Sequence, residues 1–498
     1  MTLFNTLYPQ STESMPIVQQ SQGDVERTLQ GSFDPSLALV LNGWGFKASV
    51  WQALSDQLGM PLQVVDQPAD SDYENWFEAL YQQLKNERPR VIAWSLGVQV
   101  VARLQQRGVI FESIVAIAGR ASFIVESGHG LKANDLAKFQ KRVAKGGERA
   151  RAYFAALISH GGPLAADVAQ ITRYLQAELA NYTLSLADLA AYVPVPKGAC
   201  YVLGEQDALV ASRPEVEAEV EVLAGQSHDL PLAAPERLAE LIEQYWLRER
   251  QRKVARSFSR AVDSYAESSN LQQRVADSLL AEVQLPAKGL LVDLGSGTGY
   301  CAKQLHPRFD GELLCIDLSP EMVAHTRSLG FNSMVGDAQA LPLEDNSVDV
   351  LVSSLAIQWC PNPAKVFAEI ARVLKPSGNA WVTTLGELSL AELRESAVEA
   401  GVGNRVNQFP AHTDWLEHAN DSKLVSQLQR YQTPVEASNF SELLKHLRGV
   451  GANCVLNGPR KALTRSDLKS WGDAALQAGG GNYRTHYDVV QLTLNKLN

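Results

Sequence analysis

Twice along this chain, short apolar runs rich in β-branched residues alternate with stretches of helical periodicity. That alternation restricts the fold more than any other feature. Strands buried on both faces, each followed by a covering helix, build parallel-sheet α/β domains. The first series predicts strands at 37–42 (LALVLN), 62–66 (LQVVD), 90–94 (RVIAW), 112–118 (ESIVAIA) and 199–204 (ACYVLG). The second predicts strands at 290–294 (LLVDL), 312–317 (ELLCID), 348–354 (VDVLVSS) and 379–384 (NAWVTT), with an alternating strand, HYDVVQLTL, closing the sheet near 486–494. Between them the helix APERLAELIEQYW passes into the charged stretch LRERQRK, which places a domain boundary near residue 248. The two domains are then 1–248 and 249–498, as expected for 498 residues, which exceed one ordinary core. The series share an architecture but no repeat. Residues 1–35 are polar and weakly patterned, as an edge hairpin or a disordered lead would be.

The first domain carries a candidate nucleophile. VIAWSLG ends a strand on Ser95 and continues into a small-residue turn. The sharp turn that exposes a hydrolase serine usually reads G-x-S-x-G, and here Ala93 takes the first glycine position. Taken alone the motif is weak. Three other stretches join it. LALVLNGWG puts Gly43-Trp44-Gly45 directly after a strand, where an α/β-hydrolase draws one oxyanion N–H. The second comes from the residue after the nucleophile, so the donors would be the backbones of Trp44 and Leu96. VLGEQDALV places Asp207 in a turn after a strand, and AGQSHDLPLAAPE places His228 before the last helix. The order Ser, Asp, His is that of the fold. His228 would take the proton of Ser95, and Asp207 would hold its tautomer. His129 and His160 are rival bases, but both fall in a mostly helical insertion, 125–195, of the kind that acts as a lid. Trp44 and Phe154 could wall an acyl channel or simply pack.

The second domain opens on a different loop. VDLGSGTGY places Gly295, Gly297 and Gly299 after a strand that carries Asp293. A dinucleotide fingerprint would read G-x-G-x-x-G, whereas this spacing suits the amino-acid part of S-adenosylmethionine. The second strand ends in Asp317, an acceptor for ribose hydroxyls. Asp337 follows the third, at the expected adenine edge, and Ser353–Leu355 ends the fourth. The expectation is a Rossmann-like class I S-adenosylmethionine-dependent methyltransferase. No general base and no metal-ligand cluster is evident, which suits an acceptor already ionised, a carboxylate, and no metal.

FSRAVDSYAESSNLQQRVADSLL, VDLGSGTGY, SLAIQWC, EIARVLKPSG, TLGELSLAELRES and NRVNQF resemble the malonyl-acyl-carrier-protein O-methyltransferases, from about residue 255 onward. Ser377 stands where that family commonly has glycine. NGWG, AWSLG, GEQDALV and SHDLPLAAPE resemble the pimeloyl-acyl-carrier-protein methyl ester esterases over about 37–245, with Asn42 in place of a usual histidine. Together the halves resemble the natural fusions of the two, the bifunctional biotin biosynthesis proteins. The resemblance implies S-adenosylmethionine as methyl donor and an acyl carrier protein bearing malonyl or methyl-pimeloyl groups as partner. A rival reading keeps the hydrolase half as an inactive carrier-binding module.

Such a carrier is acidic. The formal net charge of this chain is −10, which argues against a nucleic-acid binder and requires a local basic patch for an acidic partner. The run KFQKRVAKGGERARAYF supplies Lys138, Lys141, Arg142, Lys145, Arg149 and Arg151, either as a docking face or as a solvated one. Lys445, Arg448, Arg460 and Lys461 are weaker candidates. Five cysteines without a C-x-x-C pair suit a reducing cytoplasm. No secretory signal is visible at the N-terminus, and no apolar run approaches the ~20 residues of a membrane helix.

Overall fold

A strand needs its two apolar faces covered, and in both halves of the chain the helices between strands do this. The computed structural model describes residues 18–20, 33–34, 37–120, 123–124, 132–159, 168–183, 185, 193, 196–210, 218–259, 270–403, 405–449 and 463–496. The chain divides into two compact units between Trp246 and Leu247, within a long helix.

The first unit holds a seven-stranded sheet in the order β1-β3-β2-β4-β5-β6-β7, with every pair parallel. The strands are β1 (Val18–Gln20), β2 (Ala38–Leu41), β3 (Leu62–Val65), β4 (Arg90–Trp94), β5 (Ser113–Ile117), β6 (Ala199–Gly204) and β7 (Glu219–Leu223). The sequence pattern predicts five of these. Strand β7, EVEVL, escapes it because its glutamates read as a surface segment; it lies at the sheet edge, mostly half-buried.

Helix α1 (Leu96–Gln106) follows β4 so tightly that Gly97 lies against β2. A Cβ there would sit 2.2 Å from the Leu41 carbonyl oxygen, backbone that cannot yield. Ala93, by contrast, is a strand residue in register between Leu41 and Ala116, and its methyl group is buried without conflict. The indispensable glycine is therefore the one after the serine. Gly97→Ala is expected to cost about 1–3 kcal/mol by overpacking, read as a lower denaturation midpoint of this unit. An unchanged midpoint would contradict the close approach.

The insertion contributes α2 (Ala133–Val143), α3 (Gly147–Ile158), a helix at Val168–Tyr174 and a 3₁₀ turn at Leu179–Tyr182. Its stretches 125–131, 160–167, 186–192 and 194–195, with His129 and His160, lie outside the described residues. The insertion is tied to the loop after β2. Lys47 N–H donates to the Tyr174 carbonyl (2.8 Å), and Gln176 N–H to that of Gly45 (2.8 Å).

The second unit begins within helix α4 (Pro235–Ser259) and contains β8 (Leu290–Leu294), β9 (Glu312–Asp317), β10 (Asn332–Val335), β11 (Val348–Ser354), β12 (Leu374–Leu385), β13 (Leu424–Ala437) and β14 (Tyr483–Lys496). The sheet order is β10-β9-β8-β11-β12-β14-β13. Strand β14 runs antiparallel to both β12 and β13. It is longer than the sequence pattern indicates. Strand β13 is not anticipated at all, since LVSQLQRYQTPVEA is polar and contains Pro434. At the sheet edge it needs only one partner and one covered face, and it pairs with β14 from Leu424↔Lys496 to Ala437↔Tyr483.

Two candidate active sites

Ser95 sits between β4 and α1 with φ 55° and ψ −117°, a conformation serine rarely adopts. The turn is held by Ser95 N–H donating to the Ile117 carbonyl (2.8 Å) and Val98 N–H to that of Ser95 (3.0 Å). The strain lifts the hydroxyl off the strand end. His228 Nε2 lies 2.9 Å from Ser95 Oγ, and His228 Nδ1 lies 2.8 Å from Asp207 Oδ2. Asp207 follows β6, and its other oxygen accepts from the N–H groups of Leu209 (2.8 Å) and Val210 (3.0 Å). An acceptor-only carboxylate facing Nδ1 fixes the proton there and leaves Nε2 free to accept from Ser95. All three side chains are buried.

The main chain of His228 is also clamped. Its N–H donates to the carbonyl of Ile158 at the end of α3 (3.1 Å), and its carbonyl accepts from the Trp94 indole (3.0 Å). Asn42 fixes the loop after β2. Its amide donates to the Phe46 carbonyl (2.9 Å) and Asp66 (3.1 Å), and its oxygen accepts from Gly43 N–H (2.9 Å) and the Trp51 indole (3.0 Å). Gly43 N–H is thus spoken for, and Trp44 comes next. Leu96 is the first residue of α1, where the N–H has no intrahelical acceptor. The Trp44 and Phe154 rings meet edge-on at 5.0 Å, with Phe139 against both, so helices α2 and α3 of the insertion pack on the loop after β2. Sequence reasoning missed the clamps from Trp94 and Ile158, because neither lies near His228 in the chain.

In the insertion, Arg142, Lys145 and Arg149 are exposed, and so are Lys138 and Lys141. Lys138 pairs with Asp135 (3.1 Å), and the Arg142 guanidinium lies 4.1 Å over the Tyr153 ring. Arg151 differs from the others: it is half-buried, with its Nε out of solvent. Elsewhere Lys445 is exposed, whereas the Arg448 side chain, Arg460 and Lys461 lie outside the described residues.

In the second unit, β8 runs into a turn in which Gly295, Gly297 and Gly299 have φ of 72°, 52° and 78°. A side chain at Gly295 would be strained by that φ and would also place its Cβ 2.2 Å from that of Ala356. Asp317, at the end of β9, accepts from Gly297 N–H and Ser319 N–H, both at 2.8 Å, one on each oxygen. Each oxygen keeps acceptor capacity for a hydroxyl. Burial raises the carboxyl of Asp317 above the usual range. It pushes that of Asp293 up to about 7, opposed by the Ala302 N–H bonded to it at 3.0 Å. Asp337 follows β10; it accepts from Gln339 N–H (3.0 Å) and from the Gln251 amide of α4 (2.6 Å). Gln251 stands in a charged stretch that gives no hint of this contact. Ser353 donates to the Leu294 carbonyl (2.8 Å) and ties β11 to the base of the glycine turn. The Ser296 hydroxyl is buried and has no partner among the described residues. An open glycine turn, an orphaned hydroxyl beside it and a strand-end carboxylate with spare acceptor capacity fit S-adenosylmethionine. No group of three or more His, Cys, Asp or Glu among the described residues could hold a metal ion, and no helix among them is long and apolar enough to cross a membrane.

Residues 38–241 match the Alpha/beta hydrolase family, and residues 292–382 match the Methyltransferase domain. The chain is 29% identical to the Biotin biosynthesis bifunctional protein BioHC of Cellvibrio japonicus, over 86% of this chain and 92% of that one. It is 28% identical to the protein of the same name from Teredinibacter turnerae, over 86% and 87%. To the Malonyl-[acyl-carrier protein] O-methyltransferase of Methylococcus capsulatus it is 33% identical, over 45% of this chain and 85% of the relative. A hydrolase-family match and a methyltransferase-domain match thus occur in one chain, and relatives aligned over most of its length bear the name bifunctional. The chain is an enzyme that belongs, through its second half, to the malonyl-[acyl-carrier protein] O-methyltransferase family and, over its length, to the bifunctional biotin biosynthesis proteins.

Proposed function

We propose that the second domain methylates the free carboxylate of a malonyl group carried on acyl carrier protein, and that the first hydrolyses pimeloyl-acyl-carrier-protein methyl ester to the free acid and methanol. The hydrogen-bond chain Ser95–His228–Asp207 carries the hydrolase half of this reading. Ser95 Oγ attacks the ester carbonyl as His228 Nε2 takes its proton. The oxyanion is met by the N–H groups of Trp44 and Leu96, and the proton on His228 passes to the departing methoxide. Water, deprotonated by His228, then releases the acid. Asp207 keeps its proton off throughout and stabilises the imidazolium.

Bound S-adenosylmethionine supplies an activated methyl group. Asp317 would take the ribose hydroxyls, Asp337 the adenine edge, and the 295–299 turn the amino-acid end. The buried Asp293 would brace that turn from below. A carboxylate acceptor needs no base, so this domain's work is alignment and exclusion of water. Masking the carboxylate gives chain-extending enzymes an apolar end; removing the methyl later restores the acid. The cytoplasm suits four cysteines that are free in the structure.

Labelling of Ser95 by a fluorophosphonate probe tests the hydrolase half. An unlabelled Ser95 in folded protein would leave the domain a binding module. The exposed cations of α2 and α3 support docking of the acidic carrier. Reversal of Arg142 and Arg149 to Glu is expected to raise KM for a carrier-bound ester about tenfold or more, leaving a small p-nitrophenyl ester within about twofold, since those charges do not touch the chemistry. Equal losses on both substrates would make the face structural.

A further inference from the structure

One carboxylate beside the triad has no place in the mechanism above. Asp229 follows the base directly, is 2% exposed, and its Oδ2 has no partner among the described residues. Its Oδ1 lies 3.0 Å from Ser227 Oγ, and Ser227 is itself fully buried. Ser227 Oγ also lies within hydrogen-bond reach of the Ile158 carbonyl, the group that accepts from His228 N–H.

A hydroxyl has one hydrogen. If Asp229 is ionised, Ser227 faces two acceptors and can serve only one. Donation to Asp229 leaves the oxygens of Ser227 and Ile158 facing each other without a proton between them. Donation to Ile158 leaves a buried carboxylate, close to Asp207, with no donor but its own backbone N–H, an unfavourable state for a charge out of water. A proton on Asp229 resolves both conflicts. The acid donates to Ser227, Ser227 donates to Ile158, and one uncharged carbonyl oxygen remains to be desolvated. Desolvation does raise the Asp229 carboxyl above its usual range, against the opposing influence of Ser227, of its own backbone N–H and of His228, and with that of Asp207.

We propose that Asp229 is a positioning residue of the hydrolase site: a neutral acid whose hydrogen bond to Ser227 commits that hydroxyl to Ile158 and so fixes the loop of the base, His228, to the end of lid helix α3. This rests on the reading of Ser95, His228 and Asp207 as the catalytic groups. The link is geometric. Ile158 is the last residue of α3, and its carbonyl receives bonds from both Ser227 and His228, so the base and the lid share one anchor. Without the Ser227 bond, His228 N–H alone holds the loop there.

The test uses the full chain. Asparagine can still donate to Ser227, so Asp229→Asn is expected to keep kcat for a p-nitrophenyl ester within about threefold. Asp229→Ala and Ser227→Ala are expected to lower kcat about tenfold or more with KM changed less than about threefold, because the base is misplaced while the acyl site is intact. An asparagine variant as impaired as the alanine variant would overturn the proposal. So would alanine variants that raise KM alone. Infrared difference spectroscopy reads the proton independently of turnover. The protein at pH 7 is expected to show a carboxylic acid C=O band that Asp229→Asn removes. If that variant removes no band, Asp229 is ionised and the proposal fails. If the band is lost but unmodified protein does not label at Ser95, it is the catalytic reading that fails.

Discussion

Replacing Ser95 by alanine is expected to lower methyl ester hydrolysis about 10³-fold or more, the loss seen when a nucleophile that works as a unit with its base is removed. His228→Ala is expected to cost about as much, and the double variant little more than either, because each change alone disables the same step. What remains would come from the N–H groups of Trp44 and Leu96, for which donors of this kind are worth about 10² to 10³ in rate. Methyl transfer is expected to survive all three changes, since its groups lie on the second sheet. Rates on a carrier-bound methyl ester decide the matter. A Ser95→Ala rate within tenfold of the unmodified protein would make Ser95 a loop serine despite its 2.9 Å contact with His228.

The second large effect is expected at Asp317. Hydrogen bonds to a charged acceptor contribute about 1.5–3 kcal/mol each, and Asp317 would lose those to the ribose as well as its hold on Gly297 N–H. Asp317→Ala is therefore expected to weaken S-adenosylmethionine binding about 10²-fold or more in calorimetry, with ester hydrolysis unchanged. Asp317→Asn should fall between, as one carbonyl oxygen still accepts. An unchanged affinity in Asp317→Ala would remove this residue from the cofactor site.

The strand that ends in Ser95 and the glycine turn were legible because each is local, a few residues of fixed type on one strand end; Asp207 and His228 were legible from the order of their loops along the chain. The second sheet was half legible. Its parallel strands are continuous apolar runs, but β13 carries Gln, Arg and Pro434 at an edge where little burial is needed, so its pattern resembles a loop. The groups that hold the sites in shape were not legible. Ile158 meets His228 across seventy positions of sequence, and Gln251 meets Asp337 across more. Nothing in the sequence marks Asp229, and only its burial and its sparse hydrogen bonding make it unusual.

The most direct measurement is mass spectrometry of two reactions run by one purified chain and by its Ser95→Ala variant. With malonyl carrier protein and S-adenosylmethionine, both proteins are expected to add one methyl group to the carrier. With pimeloyl carrier protein methyl ester, the unmodified chain is expected to remove the methyl and leave the thioester intact, and the variant to leave the ester untouched. A chain that methylates but never removes the ester, or whose removal persists in the variant, would contradict the account of two opposed active sites in one enzyme.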